Sequence, residues 1–150
     1  MSETEIAHHE EALRRLCRER GIPFTRQRRV VLRAVLELGS HPTADEVFDA
    51  AIVRRAGVSR ATVYRTLESF AQLGVIDKVG HPGNAVRYDG RLRLHHHFFC
   101  LRCNAITDIA GAHLDAVTVS DARELGLLIQ DCRVQLSGLC SHCLTKQTHS

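Results

Sequence analysis

"SRATVYRTLESFAQLG", residues 59–74, decides the architecture of the chain. Ser59 is suited to cap a helix, because its hydroxyl can accept one of the backbone N–H groups left unpaired in a first turn. Val63, Leu67, Phe70 and Leu73 then recur at helical spacing and form one apolar stripe. Arg65 lies roughly 200° around the axis from Val63 at about 100° per residue, with Tyr64 and Glu68 beside it on the outer face. The stretch predicts a helix that buries one side and offers Ser59, Arg60, Thr62, Tyr64 and Arg65 to phosphates or base edges.

Upstream, residues 3–20 read as a helix stopped at Gly21. "PFTRQRRVVLRAVLELG" (23–39) reads as a second helix, with Thr25 as N-cap and Gly39 as its stop. "HPTADEVFDAAIVRRAG" (41–57) is a third: Thr43 with Glu46 three residues later makes a capping box. Its expected apolar face is Val47, Ala50 or Ala51, and Val53 or the stem of Arg54. Downstream, "VIDKVGHPGNAVRYD" (75–89) reads as two short strands around a Pro-Gly turn. Helix, helix, short turn, helix and hairpin make a winged helix-turn-helix over 1–88, with the fourth helix in the recognition position.

Charge distribution favours a nucleic-acid partner. The net charge is only +3, yet eight arginines and a single acid, Glu19, lie between Arg14 and Arg33. Such clustering is the footprint expected of a DNA-binding surface, and Arg26 is a candidate phosphate contact. A solvated helix face is the plainer alternative for the cluster by itself. No apolar run approaches the roughly 18 residues of a membrane span. The charged start "MSETEIAHHEEALRR" lacks the apolar region of a signal peptide, so a cytoplasmic location is expected.

After Asp89 the character changes. Residues 89–94 read as a hinge. Beyond it, "HHHFFCL", "AITDIA" and "LLIQDCRVQLSG" are strand-like, and "HLDAVTVSDARELG" (113–126) is helix-like. This gives a small α/β domain over 95–150, so the fold class is α+β. About 56 residues make a marginal core that needs a metal or a partner subunit.

Four of the six cysteines supply the metal: Cys100-x-x-Cys103 and Cys140-x-x-Cys143, with 36 residues between the knuckles. Four thiolates suit a closed, tetrahedral structural zinc site. A disulfide framework is not expected in a reducing compartment. The histidines 95–97 remain. On a strand, His95 and His97 point one way and His96 the other. Two imidazoles make a weak site; His41, Asp89 and Asp108 are candidates to complete it, but spacing alone does not select them.

"HPTADEVFDA", "VSRATVYRTLESFAQLGVI", "RYD", "HHHFFCLRC" and "CSHC" together resemble the ferric uptake regulator (Fur) family of dimeric, metal-regulated bacterial repressors. The resemblance implies zinc on the cysteine pairs, a homodimer and double-stranded operator DNA as partner. It implies a regulatory ion, Fe(2+) or Mn(2+) with Zn(2+) as a further option, on His41, Asp89, His95, His97 and Asp108. Iron-sensing members usually carry Glu at the positions of Asp89 and Asp108. Asp at both resembles the peroxide-responsive, PerR-like branch, in which oxidation of a ligand histidine releases DNA. An iron- or zinc-uptake regulator that senses metal level alone is the alternative, and the pair Arg65-Thr66 is closer to iron-type members. "HHHFF" also resembles the haem-responsive Irr branch, which generally lacks the paired cysteines. His96, Asp115 and Cys132 lie where many relatives have a third metal site, with Cys132 in place of the usual His.

His8, His9, His81, His142 and His149 are expected at the surface, His113 in a capping region, and Cys17 as a small buried hydrophobe. A metallohydrolase is the competing class. It would need a general base beside the histidine strand, and no Glu lies near enough in sequence to serve. The chain is therefore expected to be a regulator and not an enzyme.

Overall fold

The computed structural model describes residues 1–39, 41–54, 57–80, 85–90, 95–110, 125–128 and 132–145. The chain divides into two compact units, Met1–Leu92 and Arg93–Ser150.

In the first unit, each helix begins where a side chain satisfies its unpaired amides. In α1 (Glu3–Glu19), Ser2 and Glu5 form a reciprocal capping box. Thr25 accepts from the Arg28 N–H at the start of α2 (Arg26–Leu38), and Gly39 closes that helix in the left-handed conformation, φ 60°. Thr43 and Glu46 form the expected capping box of α3 (Ala44–Val53). The Ser59 hydroxyl accepts from the Thr62 N–H at the start of α4 (Arg60–Gln72). Caps of this kind contribute about 0.5–2 kcal/mol each, and they fix the four starting points.

The core of this unit gathers the apolar faces of those helices. Ile6 and Leu13 of α1, Val31 and Leu32 of α2, Val47 of α3, and Val63, Leu67 and Phe70 of α4 are buried in one cluster. Val53 does not join them; it is 82% exposed, and α3 buries Ala44, Val47 and Ala51 instead. Helical geometry accounts for this: Ala51 lies about 40° from Val47 around the axis, whereas Val53 lies about 240° away. Among the polar residues, His9 is buried, against expectation, and its Nδ1 bonds the Glu5 carbonyl oxygen at 2.8 Å.

The wing is a two-stranded antiparallel ribbon. Strand β1 (Asp77–Val79) pairs with β2 (Arg87–Asp89) in the register Asp77–Asp89, Lys78–Tyr88 and Val79–Arg87. The expected Pro-Gly turn at 81–84 lies outside the described residues.

The second unit holds a three-stranded sheet in the order β4-β3-β5. Its central strand β3 (His96–Cys100) runs antiparallel to β4 (Ile106–Ile109) and parallel to β5 (Gln135–Gly138). A short helix, α5 (Ser141–Thr145), follows β5. Of the strand-like run 127–138, only 135–138 is strand among the described residues. The expected helix at 113–126 lies almost wholly outside the described residues, as do positions 91–94 of the expected hinge. Among the described residues, no helix is long and apolar enough to cross a membrane.

Phe70→Ala should cost about 3–5 kcal/mol, because Phe70 is fully buried where α4 meets the core. Val53→Ser should stay within about 0.5 kcal/mol. Urea unfolding followed by helical circular dichroism checks both, and equal midpoints for the two variants would contradict the packing described.

Candidate metal centres

The cysteine cluster is assembled by two turns and one strand register. Strand β3 ends at Cys100. A tight turn follows, closed by bonds from the Asn104 N–H to the Cys100 carbonyl oxygen and from the Cys100 N–H to the Ala105 carbonyl oxygen, both 2.9 Å. Asn104 takes the left-handed conformation needed to reverse the chain, φ 59°. The parallel register sets Cys100 beside Gly138, and the Leu101 N–H donates to the Gly138 carbonyl oxygen at 2.7 Å. The fit at Gly138 is close: an added Cβ would sit 3.2 Å from the Phe98 ring, which would have to shift by a few tenths of an ångström. Two residues on, the Cys140 N–H donates to the Cys100 sulfur at 3.3 Å. The α5 turn then returns Cys143 to the same place.

All four sulfur atoms lie within 4.8 Å of one another, and Cys103 Sγ and Cys140 Sγ are 3.7 Å apart. A tetrahedron with metal–sulfur bonds of about 2.3 Å has edges of about 3.8 Å, so the cluster fits zinc. Backbone N–H groups, those of Cys103 first and Cys140 next, hold the Cys100 thiol well below the usual range. Burial, and then the neighbouring thiols, push Cys143 upward.

The five histidine and aspartate candidates form one group in each unit. In the first unit, His41 Nε2 lies 3.8 Å from Asp89 Oδ2, with both side chains almost wholly buried. The two segments are joined by a bond from the Tyr88 N–H to the Pro42 carbonyl oxygen at 2.9 Å and by a bridge between Thr43 and Arg87. In the second unit, the β3–β4 register puts His97 opposite Asp108. His95 Nε2 and His97 Nε2 each lie 3.8 Å from Asp108 Oδ1. Such spacings fall within the roughly 3–4 Å spanned by two donors on one ion with bonds of about 2.1 Å. Imidazole and carboxylate together suit divalent iron, manganese or zinc.

His96 faces the other side of the sheet, fully buried, and its Nδ1 accepts the Val134 N–H at 3.0 Å. Asp115 lies outside the described residues, and Cys132 is half-buried.

The candidate DNA contacts divide by environment. Arg26 and Arg65 are exposed, and Tyr64 is 45% exposed. A cleft lined by Thr25, Gln27, Arg28, Thr62, Arg65 and Thr66 brings the start of α2 beside α4. Ser59 is occupied as the cap, with its Oγ 2.9 Å from Thr62 Oγ1. Arg60 pairs with Asp45 and lies over the Phe48 ring, 4.4 Å from its centre. Ion pairs also engage members of the arginine cluster: Arg14 with Glu11, Arg15 with Glu19, and Arg33 with Glu3, Glu10 and Glu37. All of these acids but Glu19 lie outside the Arg14–Arg33 stretch, so a count within it overstates the free charge. Sequence reading gave Arg87 no role; its only signal was a place in "RYD" between two candidate ligand segments.

The profile of the ferric uptake regulator family matches residues 19–137. The peroxide operon regulator of Bacillus subtilis is 32% identical over 146 residues, covering 96% of this chain and all of that one. The peroxide-responsive repressor PerR of Staphylococcus epidermidis is 29% identical over 126 residues, 84% of each chain. Among solved structures, the Helicobacter pylori ferric uptake regulator, described as having three functional metal binding sites, superposes with a TM-score of 0.77. That match covers 93% of each chain at 19% identity, and it supports the fold.

The cysteine geometry predicts about one tightly held zinc per chain, with its binding energy contributing to folding of the second unit. Cys103→Ser and Cys140→Ser should each lose that zinc and lower the unfolding temperature. Elemental analysis beside thermal unfolding reads both effects; a folded, zinc-free wild type would contradict the assignment.

Proposed function

The chain belongs to the ferric uptake regulator family, and from that premise we propose that it is a metal-dependent transcriptional repressor that responds to peroxide. The reading makes it a cytoplasmic homodimer on double-stranded operator DNA, and a regulator instead of an enzyme. The observation that carries it is the pair of aspartates. Asp89 and Asp108 each stand 3.8 Å from a ligand-type imidazole where iron-sensing relatives usually carry glutamate. The names of the Bacillus and Staphylococcus relatives support the same branch.

Cys100, Cys103, Cys140 and Cys143 hold structural zinc in this proposal. His41, Asp89, His95, His97 and Asp108 serve one regulatory ion. Iron(II), if bound there, would lend one electron to open the O–O bond of hydrogen peroxide and would regain one from the oxidised ring. The chain contributes the target: an imidazole carbon of His41 or His95 gains one oxygen atom of the peroxide, and the other leaves as water. An oxidised ring is a poorer ligand, so the ion loses its hold and the DNA-binding arrangement loses its stabilisation. Asp is one methylene shorter than Glu, which leaves more room beside the ion for peroxide.

On DNA, α4 enters the major groove, where Tyr64 and Arg65 meet base edges while Ser59 and Thr62 lie near the backbone. Arg26 serves as a phosphate contact. Arg60 is a further candidate contact to the DNA, and its ion pair with Asp45 also links α4 to α3. A second reading, a sensor of metal level alone, draws on the Arg65-Thr66 pair and shares every residue assignment except the oxidation target.

Arg65→Ala should cost about 1–3 kcal/mol on the specific operator. Arg26→Ala should weaken all duplexes alike and reduce the salt dependence by roughly one phosphate contact. Fluorescence anisotropy over a salt series separates the two, and an unchanged operator affinity for Arg65→Ala would remove α4 from the groove. For the sensing step, the iron-loaded protein should release DNA after mild peroxide treatment. Its tryptic map should show one added oxygen on the peptide carrying His41 or His95. The manganese-loaded protein should do neither; no histidine oxidation and unaltered DNA binding in the iron-loaded protein would favour the metal-level sensor.

A further inference from the structure

We infer that Arg87 is a positioning residue for the His41–Asp89 half of the regulatory site, acting through the backbone of His41; the inference rests on the metal-site reading above. His41 has φ 52°, the left-handed region that a side chain with a Cβ rarely adopts. Such a conformation persists only where its surroundings over-determine it. Arg87 Nη1 donates to the His41 carbonyl oxygen at 2.9 Å across a sequence separation of 46 residues. The same nitrogen lies 3.6 Å from Glu46 Oε2. That carboxylate is itself fixed, because it accepts the Thr43 N–H at 2.7 Å in the capping box of α3.

The guanidinium therefore ties together three things: the carbonyl of one ligand residue, the start of α3, and the strand that ends in the other ligand, Asp89. Arg87 and Asp89 are separated by Tyr88 on β2, so the guanidinium holds the His41 carbonyl against the strand that carries the other ligand. Without the charged donor, the His41 peptide is free to leave the left-handed region. Rotation about φ swings the imidazole away from the Asp89 carboxylate, 3.8 Å distant. Aspartate leaves less slack than glutamate would, so ligand placement depends more on this anchor.

Cobalt(II) titrated into the zinc-loaded dimer, and read by its visible absorption bands, tests the assignment. Arg87→Gln should weaken cobalt binding about tenfold, equivalent to about 1.4 kcal/mol, and reduce band intensity at saturation. Zinc content and metal-free DNA affinity should stay at wild-type values, while the apo protein stays folded with a slightly lower unfolding temperature. Arg87→Lys, which can still donate to the His41 carbonyl, should recover part of the affinity. In a His41→Ala background, Arg87→Gln should have no further effect. Wild-type cobalt affinity and spectrum in Arg87→Gln would overturn the inference while leaving the metal site standing. An additive loss in the His41→Ala background would overturn it too, by showing that Arg87 acts elsewhere. Absence of a second cobalt site in the wild type would instead overturn the metal-site reading itself.

Discussion

Four sulfur atoms meet at one end of the three-stranded sheet of the second unit, and the described strands and turns are arranged around them. Among its described residues, the buried apolar side chains are Phe99, Cys100 and Cys143. Taken alone, those three side chains contribute little against the entropy lost in ordering the strands. The cysteine cluster adds a tie of another kind, because it joins the end of β3, the turn after it and the start of α5 at one point. The sheet in turn serves the cluster. The parallel register of β3 and β5 sets Gly138 beside Cys100, and the second knuckle follows from that pairing. Cluster and sheet are one cooperative object.

The first unit has no such dependence. Its helices carry their own caps and share a continuous apolar core that includes Leu13, Leu32, Val47, Leu67 and Phe70. Its metal-type ligands sit at the ends of regular elements: His41 beyond the stop of α2 and Asp89 at the end of β2. Elements with their own stability present side chains with little freedom, and little freedom lowers the entropic cost of gathering ligands around an ion. The unusual backbone of His41 fits this pattern, since strain at one residue is tolerated where rigid neighbours surround it.

Most of the first unit was legible in the sequence because its determinants are local. A Ser or Thr cap with the right residue three positions on, a glycine at a helix end, and apolar residues at helical spacing act within one or two turns. The four starts at Ser2, Thr25, Thr43 and Ser59 depend on nothing distant, although the Ser2 box was not singled out beforehand. For α3, spacing left Ala50 or Ala51, and Val53 or the stem of Arg54, open; packing buries Ala51 and leaves Val53 exposed with Arg54 half-buried. The cysteine pairs were legible because their spacing is itself a chemical signature. The partners of Arg33 and Arg60 were not, since an ion pair across 15 or 30 residues leaves no periodic trace. The role of Arg87 was hidden for the same reason: its acceptor is a backbone carbonyl, which every residue has. The family resemblance, not spacing, singled out His41, Asp89 and Asp108 from the other histidines and acids.

The division of ligands bears on how an ion could control DNA binding. His41 and Asp89 offer two donors, and His95, His97 and Asp108 offer three. Neither group by itself completes the coordination of a divalent transition metal. For an ion shared by both groups, affinity is therefore greatest in the arrangement that presents all five donors. The shift it produces equals its differential affinity for that arrangement over the others, and an ion bound equally well in every arrangement shifts nothing. Loss of a single donor then has two consequences that cannot be separated. It weakens the ion and, by the same free energy, reduces the preference among arrangements. On the proposed function, chemical damage to one such imidazole is then a sufficient signal, with no need to unfold either unit or disturb the cysteine cluster. This is a reason for a chain to keep its structural and regulatory metals on different ligand types. Thiolates close around the ion that must stay, and imidazoles and short carboxylates hold the ion that must be able to leave.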